Sequence, residues 1–311
     1  APTAQLGQQI GVNGPERRSA NLVRRWRELT ITPIIAYPRR GRLWEVFARS
    51  GEALVDFEIG SKWAFHRVFK LAGIVRDQRA RVIHTQGPAS LDLIAALAAR
   101  VARCRLIVSR PVMIEDMVTY SIARRFVYRL VDRVGLRMAH LVVAVSEQGR
   151  DRLAASGAVS REKLRLVRNG VDIARFRGID RKQGSRREIV VGMTAQLTAQ
   201  KAWPDFLSVI AGLRQKGLPV RGLIVGSGPL RDELVALAGK MGLAESVEFA
   251  GFQEDVVPWL ARMDLFLFTS RWEGLSVAVI EAMASGLPVV ATDVAAIREQ
   301  VVEGENGFVC E

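Results

Sequence analysis

The sequence predicts an α/β protein of two doubly wound parallel-sheet domains facing each other across a cleft, and three observations carry that prediction. Short runs rich in valine, isoleucine and leucine, without polar alternation, recur through both halves of the chain. Each is followed by a polar or glycine-bearing turn and then by a segment with helical spacing, the repeat that builds parallel sheets. A charged, aperiodic stretch at 177–187 predicts a linker between a first domain over 1–176 and a second over 188–311.

Composition bounds the function. The chain has 311 residues, 49% apolar and 25% charged, the balance of a folded globular protein. Its net charge of +13 asks for an anionic partner, namely nucleic acid, a phosphorylated substrate or an acidic membrane surface, unless it is simply a solvated basic exterior. No apolar run is long enough to cross a bilayer and no charged-then-apolar leader opens the chain, so the expectation is a cytoplasmic protein, soluble or peripheral. Cys104 and Cys310 have no paired metal-ligand spacing, which predicts a reducing compartment and no bound metal. Both ends look clipped: the chain opens in a loop-like segment and stops just after a turn.

In the first half, Gly11 and Gly14 precede Pro15 and a helix-like run; Gly14 serves either a close approach to phosphate or an ordinary strand-to-helix turn. Strands over 32–36 and 53–57 flank a helix over 43–50. A helix over 61–78 leads to a strand at 81–84, an alanine-rich helix to residue 101, and a strand at 105–108 that ends in Ser109-Arg110-Pro111. His84 ends its strand on the edge where doubly wound folds bind ligands, a place equally suited to a structural histidine. In the helix over 117–139, Ala123, Val127, Leu130, Val134 and Met138 predict a core face, and Arg125, Arg129, Arg133 and Arg137 a basic stripe, interrupted by Gly135. Such a helix is either a core helix with a solvated back or one that lies on anionic lipid. A strand over 141–146 ends in a helix cap, and Asn169, Gly170 and Asp172 are turn residues.

In the second half, a strand at 189–192 enters a loop that carries Gln196 and Lys201. A strand at 222–225 runs into Gly226-Ser227-Gly228-Pro229, and Glu248 follows near the next strand's end. That arrangement half-matches a dinucleotide fingerprint, with Arg231 in the place of the third glycine, and it opens the alternative of an NAD-dependent oxidoreductase. Phe252 follows Gly251 in the turn after that strand, where an aromatic side chain ordinarily packs. The stretch from Leu265 to Thr292 reads as strand, polar turn, helix, the break Gly286-Leu287-Pro288, and strand. Glu273 stands just ahead of the helix, and the amides of Leu275 and Ser276 lie where a helix start attracts anions. Glu281 follows roughly 7–8 Å along the axis from Ser276. Taken bare, that spacing also fits a solvated helix glutamate.

The motif Ser270-Arg271-Trp272-Glu273-Gly274, continued by Glu281-Ala282-Met283-Ala284-Ser285-Gly286-Leu287-Pro288, resembles the E-x7-E hallmark of the retaining, GT-B fold glycosyltransferases of family 4. Val143 to Glu147, Asn169 to Phe176 and Gly226 to Pro229 resemble other family motifs, so the likeness covers most of the chain from Gly11 onward. The resemblance implies two Rossmann-like domains, a nucleoside diphosphate sugar as co-substrate with no further cofactor, no metal, and a glycan or lipid-linked acceptor, with no nucleic acid. It implies that Glu273 binds donor-sugar hydroxyls, Glu281 the ribose, and Lys201 the diphosphate beside Gln196, which takes a usual arginine's place. Gly274, Leu275, Ser276, Gly226, Gly228, Phe252 and Gly14 would line the donor site. Arg110 falls where many members carry a histidine facing the transferred sugar. Members usually continue beyond the last residues here with further helices, and a bare nucleotide-sugar binder is the other alternative.

Overall fold

The computed structural model describes residues 22, 31–40, 44–49, 51–58, 66–86, 89–110, 122–179 and 188–311. Gly14 and most of the expected linker lie outside the described residues. The chain divides into two compact units that meet in sequence at Asn169 and Gly170.

In the N-terminal unit, β1 (Ile34–Tyr37), α1 (Trp44–Arg49) and β2 (Ala53–Asp56) form one parallel pair with its crossover helix. After α2 (His66–Asp77), the strands β3 (Val82–Thr85), β4 (Arg105–Arg110), β5 (Leu141–Ala144) and β6 (Leu164–Leu166) pair in sequence order, all parallel. Their crossovers are α3 (Ala89–Ala102), α4 (Ile122–Met138) and α5 (Glu147–Ala155). Buried Leu106, Val108, Val142 and Ala144 of the sheet pack with Ile94, Ala95, Ala98, Leu136 and Leu153 of these helices. The alanines of α3 let its neighbours approach closely. A Cβ on Gly135 would sit 3.3 Å from the Leu93 backbone nitrogen, so this glycine, a blemish in the sequence pattern, is what seats α4 on the start of α3.

The face of α4 differs from the expectation. Val127, Leu130 and Val134, predicted as core, are exposed together with Phe126, whereas Gly135 and Leu136 are buried and Tyr128, Val131 and Asp132 are half-buried. Two apolar stripes run along this helix, and helical spacing alone does not say which one meets the sheet.

The C-terminal unit holds β7 (Ile189–Thr194), α6 (Trp203–Gln215), β8 (Val220–Val225), α7 (Arg231–Lys240), β9 (Val247–Gly251), α8 (Val257–Leu260), β10 (Leu265–Phe268), α9 (Val277–Ala284), β11 (Val289–Thr292) and β12 (Gly307–Cys310). Its sheet runs β12-β11-β10-β7-β8-β9, all parallel. The chain starts in the middle, builds outward through β8 and β9, then crosses to β10 and builds the other way. Between β7 and β10 the order therefore reverses, and ligands of open α/β sheets bind outside the strand ends at such a point. The core beneath is aromatic, with Trp203, Phe206, Phe266 and Phe268 buried among Met193, Ile210 and Leu223.

Two further points differ from the sequence reading. Phe176, expected to close the first domain, is buried in the core of the second, because the 3-10 turn Ile173–Phe176 packs there. The last residues, read as the sequel to a turn, form β12 and pair with β11.

Candidate donor-binding site

The loops after β7 and β10 leave the sheet at its switch point and are fastened to each other. Arg271 N–H donates to the Gln200 carbonyl at 2.8 Å, and Gln200 Nε2 donates to the Trp272 carbonyl at 2.8 Å. Thr269 Oγ1 donates to the Lys201 carbonyl at 2.9 Å. Ala202 ends the first loop in the left-handed region, φ 47°. These contacts bring the Lys201 ammonium onto the Glu273 carboxylate and 5.7 Å from the centre of the Phe268 ring. Both side chains are largely covered, at 16% and 15% exposure. Burial pulls the Lys201 pKa down to about 8, against which the touching carboxylate favours the charged form.

A third loop completes the floor. Gly226 N–H donates to the Gly251 carbonyl and Leu197 N–H to the Ser227 carbonyl. A Cβ on Gly226 would overlap the Ala195 carbonyl, and one on Gly228 the Leu197 backbone. The glycines of the Gly-Ser-Gly turn thus allow two backbones to touch. Trp203 Nε1 donates to the Gln196 carbonyl at 2.8 Å, fixing that residue's backbone. Phe252 stands 44% exposed beyond β9, after Gly251 with φ 72°.

On α9, Glu281 is 5% exposed, which removes the reading of a solvated glutamate. Leu275 is buried and Gly274 half-buried at the same helix start. Ser276 departs from expectation: its N–H donates to Gln300 Oε1 at 3.0 Å while Gln300 Nε2 returns a bond to the Ser276 carbonyl at 2.9 Å. That amide is consumed inside the fold and does not face an anion. No residue near Ser276 in sequence signals this partner, which lies 24 positions away.

Two groups escaped the sequence reading. The hydroxyls of Thr194, the last residue of β7, and Ser270, just past β10, are buried with no hydrogen-bond partner among the described residues. Buried hydroxyls left without partners mark places where a water or ligand completes the bonding.

Arg110 belongs to the other unit. It is the last residue of β4, in the N-terminal unit, and its guanidinium is turned inward, 2.6 Å from Asp92 Oδ2 and against Asp132. Thr85 Oγ1 also donates to Asp92, and His84 Nε2 lies 2.8 Å from Ser109 Oγ, so both polar residues at this edge are in the interior bonding of the unit. Glu248, the acid of the partial dinucleotide fingerprint, is the second residue of β9 and is held bidentately by Arg262, which leaves it unsuited to a ribose.

Residues 12–175 match the family described as Glycosyltransferase Family 4, and residues 188–311 match Glycosyl transferases group 1. The chain belongs to glycosyltransferase family 4. A lipopolysaccharide core biosynthesis mannosyltransferase, LpsB of Rhizobium meliloti, is 33% identical over 162 residues, covering 46% of this chain and 45% of that protein. An alpha-D-kanosaminyltransferase of Streptomyces kanamyceticus is 24% identical over 223 residues, 68% of this chain and 56% of the relative. The chain spans about half the length of these curated relatives. Among solved structures, HepE of Anabaena in complex with UDP and glucose superposes with a TM-score of 0.77 at 22% identity, over 97% of this chain and 83% of that one. The likeness shows the GT-B fold.

Proposed function

We propose that this family 4 chain binds a nucleoside diphosphate sugar in its C-terminal unit and passes the sugar, with retention of anomeric configuration, to a glycan or lipid-linked acceptor. The observation that carries this reading is the contact of Lys201 with Glu273 at the switch point of the sheet. An entering diphosphate takes the ammonium and frees the carboxylate, which then accepts from hydroxyls of the donor sugar. Glu281 receives the ribose hydroxyls, Phe252 meets the base, and the hydroxyls of Thr194 and Ser270 gain partners.

Charge that develops on the leaving diphosphate is met by Lys201 and by the positive end of α9, and the scheme uses no metal or further cofactor. Gln196 supplies a neutral donor where the family's arginine would supply charge. The acceptor oxygen bonds the anomeric carbon on the face from which the phosphate oxygen departs, and the leaving phosphate takes the acceptor proton. Arg110 has no part here, since its charge is neutralised by Asp92 and Asp132. HepE, whose structure holds UDP and glucose, and LpsB, a mannosyltransferase of lipopolysaccharide core biosynthesis, support a nucleotide-sugar donor and an envelope glycan acceptor.

Calorimetric titration of the chain and of Glu281→Ala with UDP, GDP, ADP and NAD tests the reading. One diphosphate should bind, and the substitution should weaken it by about 1–3 kcal/mol, the value of a hydrogen bond to a charged or buried partner. A folded chain that binds none of the diphosphates, or that prefers NAD, overturns it.

A further inference from the structure

β7 is apolar until its last residue. Ile189, Val190, Val191, Gly192 and Met193 lead to Thr194, whose hydroxyl is buried without a hydrogen-bond partner among the described residues. β10 repeats the pattern: Leu265 to Phe268 are apolar, and Ser270, two residues further on, carries a second buried hydroxyl without a partner. Among the described residues of the C-terminal unit, these are the only buried side-chain polar atoms left unpaired. Thr194 is 7% exposed and Ser270 1%. An unpaired buried hydroxyl destabilises a fold, and valine or alanine would fill either place without that cost. Two such groups at the ends of adjacent strands point to a use beyond the internal bonding of the fold.

Register places both on one face of the sheet. Leu265 pairs with Val191 and Phe266 with Gly192, so Phe268 lies opposite Thr194. Thr292 Oγ1 reaches the carbonyls of both Phe268 and Ser270, at 3.4 and 2.7 Å, so the alternation of β10 continues to Ser270. Side chains alternate along a strand and paired residues share a face, which puts Thr194, Phe268 and Ser270 on one side and Met193 and Thr269 on the other. The second set meets as that requires, with Thr269 Oγ1 3.7 Å from Met193 Sδ. Neighbouring strands are about 4.8 Å apart and a residue advances about 3.3 Å, so the Cα atoms of Thr194 and Ser270 are on the order of 8 Å apart, within the reach of one diphosphate. The Lys201 ammonium lies 5.7 Å from the centre of the Phe268 ring that shares their face.

A diphosphate at this edge needs donors, and several of the expected ones are engaged. The Lys201 ammonium rests on Glu273, and the Ser276 amide is taken by Gln300. Gln196 carries no charge. Hydroxyls answer that shortage, since each can rotate to donate to a phosphoryl oxygen, and hydrogen bonds to an ionised acceptor are the strong ones. A hydroxyl that has no partner gives up no existing bond to make the new one. A trapped water would also satisfy Thr194 and Ser270, but it would tie them to stability and not to ligand affinity.

We propose that Thr194 and Ser270 form a phosphoryl subsite, two neutral hydroxyl donors that bond oxygens of the donor's diphosphate on the Phe268 face of the sheet. The inference rests on the reading of this edge as a diphosphate site and names two residues that hold the group there.

Thr194→Val, Ser270→Ala and Thr194→Ser test it in the whole chain, by calorimetry with pyrophosphate, UDP, GDP and ADP and by thermal melting. Valine keeps the shape of threonine and removes the hydroxyl; serine keeps the hydroxyl and removes a methyl. Thr194→Val and Ser270→Ala should melt at or above the wild-type temperature, because each discards an unpaired buried group. They should bind pyrophosphate and the preferred nucleoside diphosphate about tenfold more weakly or worse, the effect of losing one hydrogen bond to a charged group. Thr194→Ser should do the reverse, melting lower for the lost methyl and binding as wild type does. Affinity then follows the hydroxyl while stability follows the methyl, a crossing that a packing role does not produce. Valine and alanine variants that melt below wild type and bind as it does overturn the proposal, since the hydroxyls then hold a buried water only. A nucleoside diphosphate bound equally by all four proteins also overturns the subsite and leaves the donor reading standing. Pyrophosphate binding that the variants weaken, with no gain from any nucleoside, upholds the subsite and removes the donor reading. A folded wild type that binds none of the four ligands removes both.

Discussion

Lys201 and Glu273, 72 positions apart in sequence, are each other's partner: ammonium rests on carboxylate where the sheet changes direction. Their loops are held by backbone-directed bonds from Gln200, Arg271 and Thr269, so the pair is presented by the fold and not by a chance meeting of two long side chains. A site made ready in this way spends little conformational entropy when a ligand replaces one half of the pair.

The first consequence concerns protons. Burial holds Lys201 near pKa 8, below its ordinary 10.5, so above pH 8 the ligand-free site loses its charge. A bound diphosphate favours the ammonium and raises that pKa, so binding takes up no proton at pH 7 and approaches one proton between about pH 8 and 10. Nucleotide affinity should therefore be flat below pH 8 and fall by up to about tenfold per unit above it. Calorimetry in two buffers of different ionisation enthalpy measures the uptake; its absence in Lys201→Met assigns it.

Removing the other half of the pair should separate nucleotide from sugar. Glu273→Gln leaves Lys201 without its carboxylate and ready for phosphate. UDP or its equivalent should bind as well as to wild type or several-fold tighter, on the order of 1 kcal/mol for a lost competing ion pair. The corresponding nucleotide sugar should lose whatever advantage it had over the bare diphosphate, and turnover should drop. Parallel titrations of diphosphate and diphosphate sugar show whether the two ligands part in this way.

Glycines of two kinds should respond oppositely to alanine. Gly226→Ala and Gly228→Ala drive a methyl into the backbone of the β7 loop and should each cost about 3 kcal/mol or more. Gly212→Ala and Gly239→Ala, inside α6 and α7 with nothing within 4 Å of the new methyl, should stabilise by up to about 1 kcal/mol. Urea melts of the four variants decide it, and equal effects at all four would show that the Gly-Ser-Gly turn is not a tight contact.

Much of this was legible in the sequence because parallel strands buried on both faces read as unbroken apolar runs, and β7, β8, β10 and β11 were found on that signal alone. Glu273 and Glu281 stand out in the sequence because one motif spaces them, and Lys201 because a second motif resembles the loop that carries it. What stayed hidden depends on contacts between distant segments. Gln300 reaches Ser276 from another loop and takes the amide assigned to a phosphate. Of the two apolar stripes on α4, the one holding Leu136 meets the sheet beside Gly135, while Leu130 and Val134 are exposed, and only the packed fold decides between them. Arg110 sits at a position where the family's pattern suggests chemistry, and only the fold brings Asp92 and Asp132 to it. Thr194 ends an apolar strand like any other polar residue, and nothing local marks its hydroxyl as lacking a partner.

The Asp92–Arg110–Asp132 cluster yields a stability prediction whose sign follows from the direction of one shift. Burial pushes the Asp92 carboxyl up to about 6, with Arg110 and the Thr85 hydroxyl opposing. Its ionised form is thus dearer in the fold than in the unfolded chain, where the value is the ordinary 3.8. The folded state holds the proton more tightly between these values, so this group's penalty is absent below about pH 4, grows as pH rises, and is complete above about pH 6. Asp92→Asn keeps the size and carries no such penalty, while Asp132 continues to neutralise Arg110. Relative to wild type, the variant should gain stability steadily from pH 4 to pH 6, by up to about 3 kcal/mol, and the gap should then stay level. Thermal melts of both proteins across that range measure it. A gap that is flat throughout, or that closes as pH rises, would show that Arg110 outweighs burial and that Asp92 is held ionised by its partner.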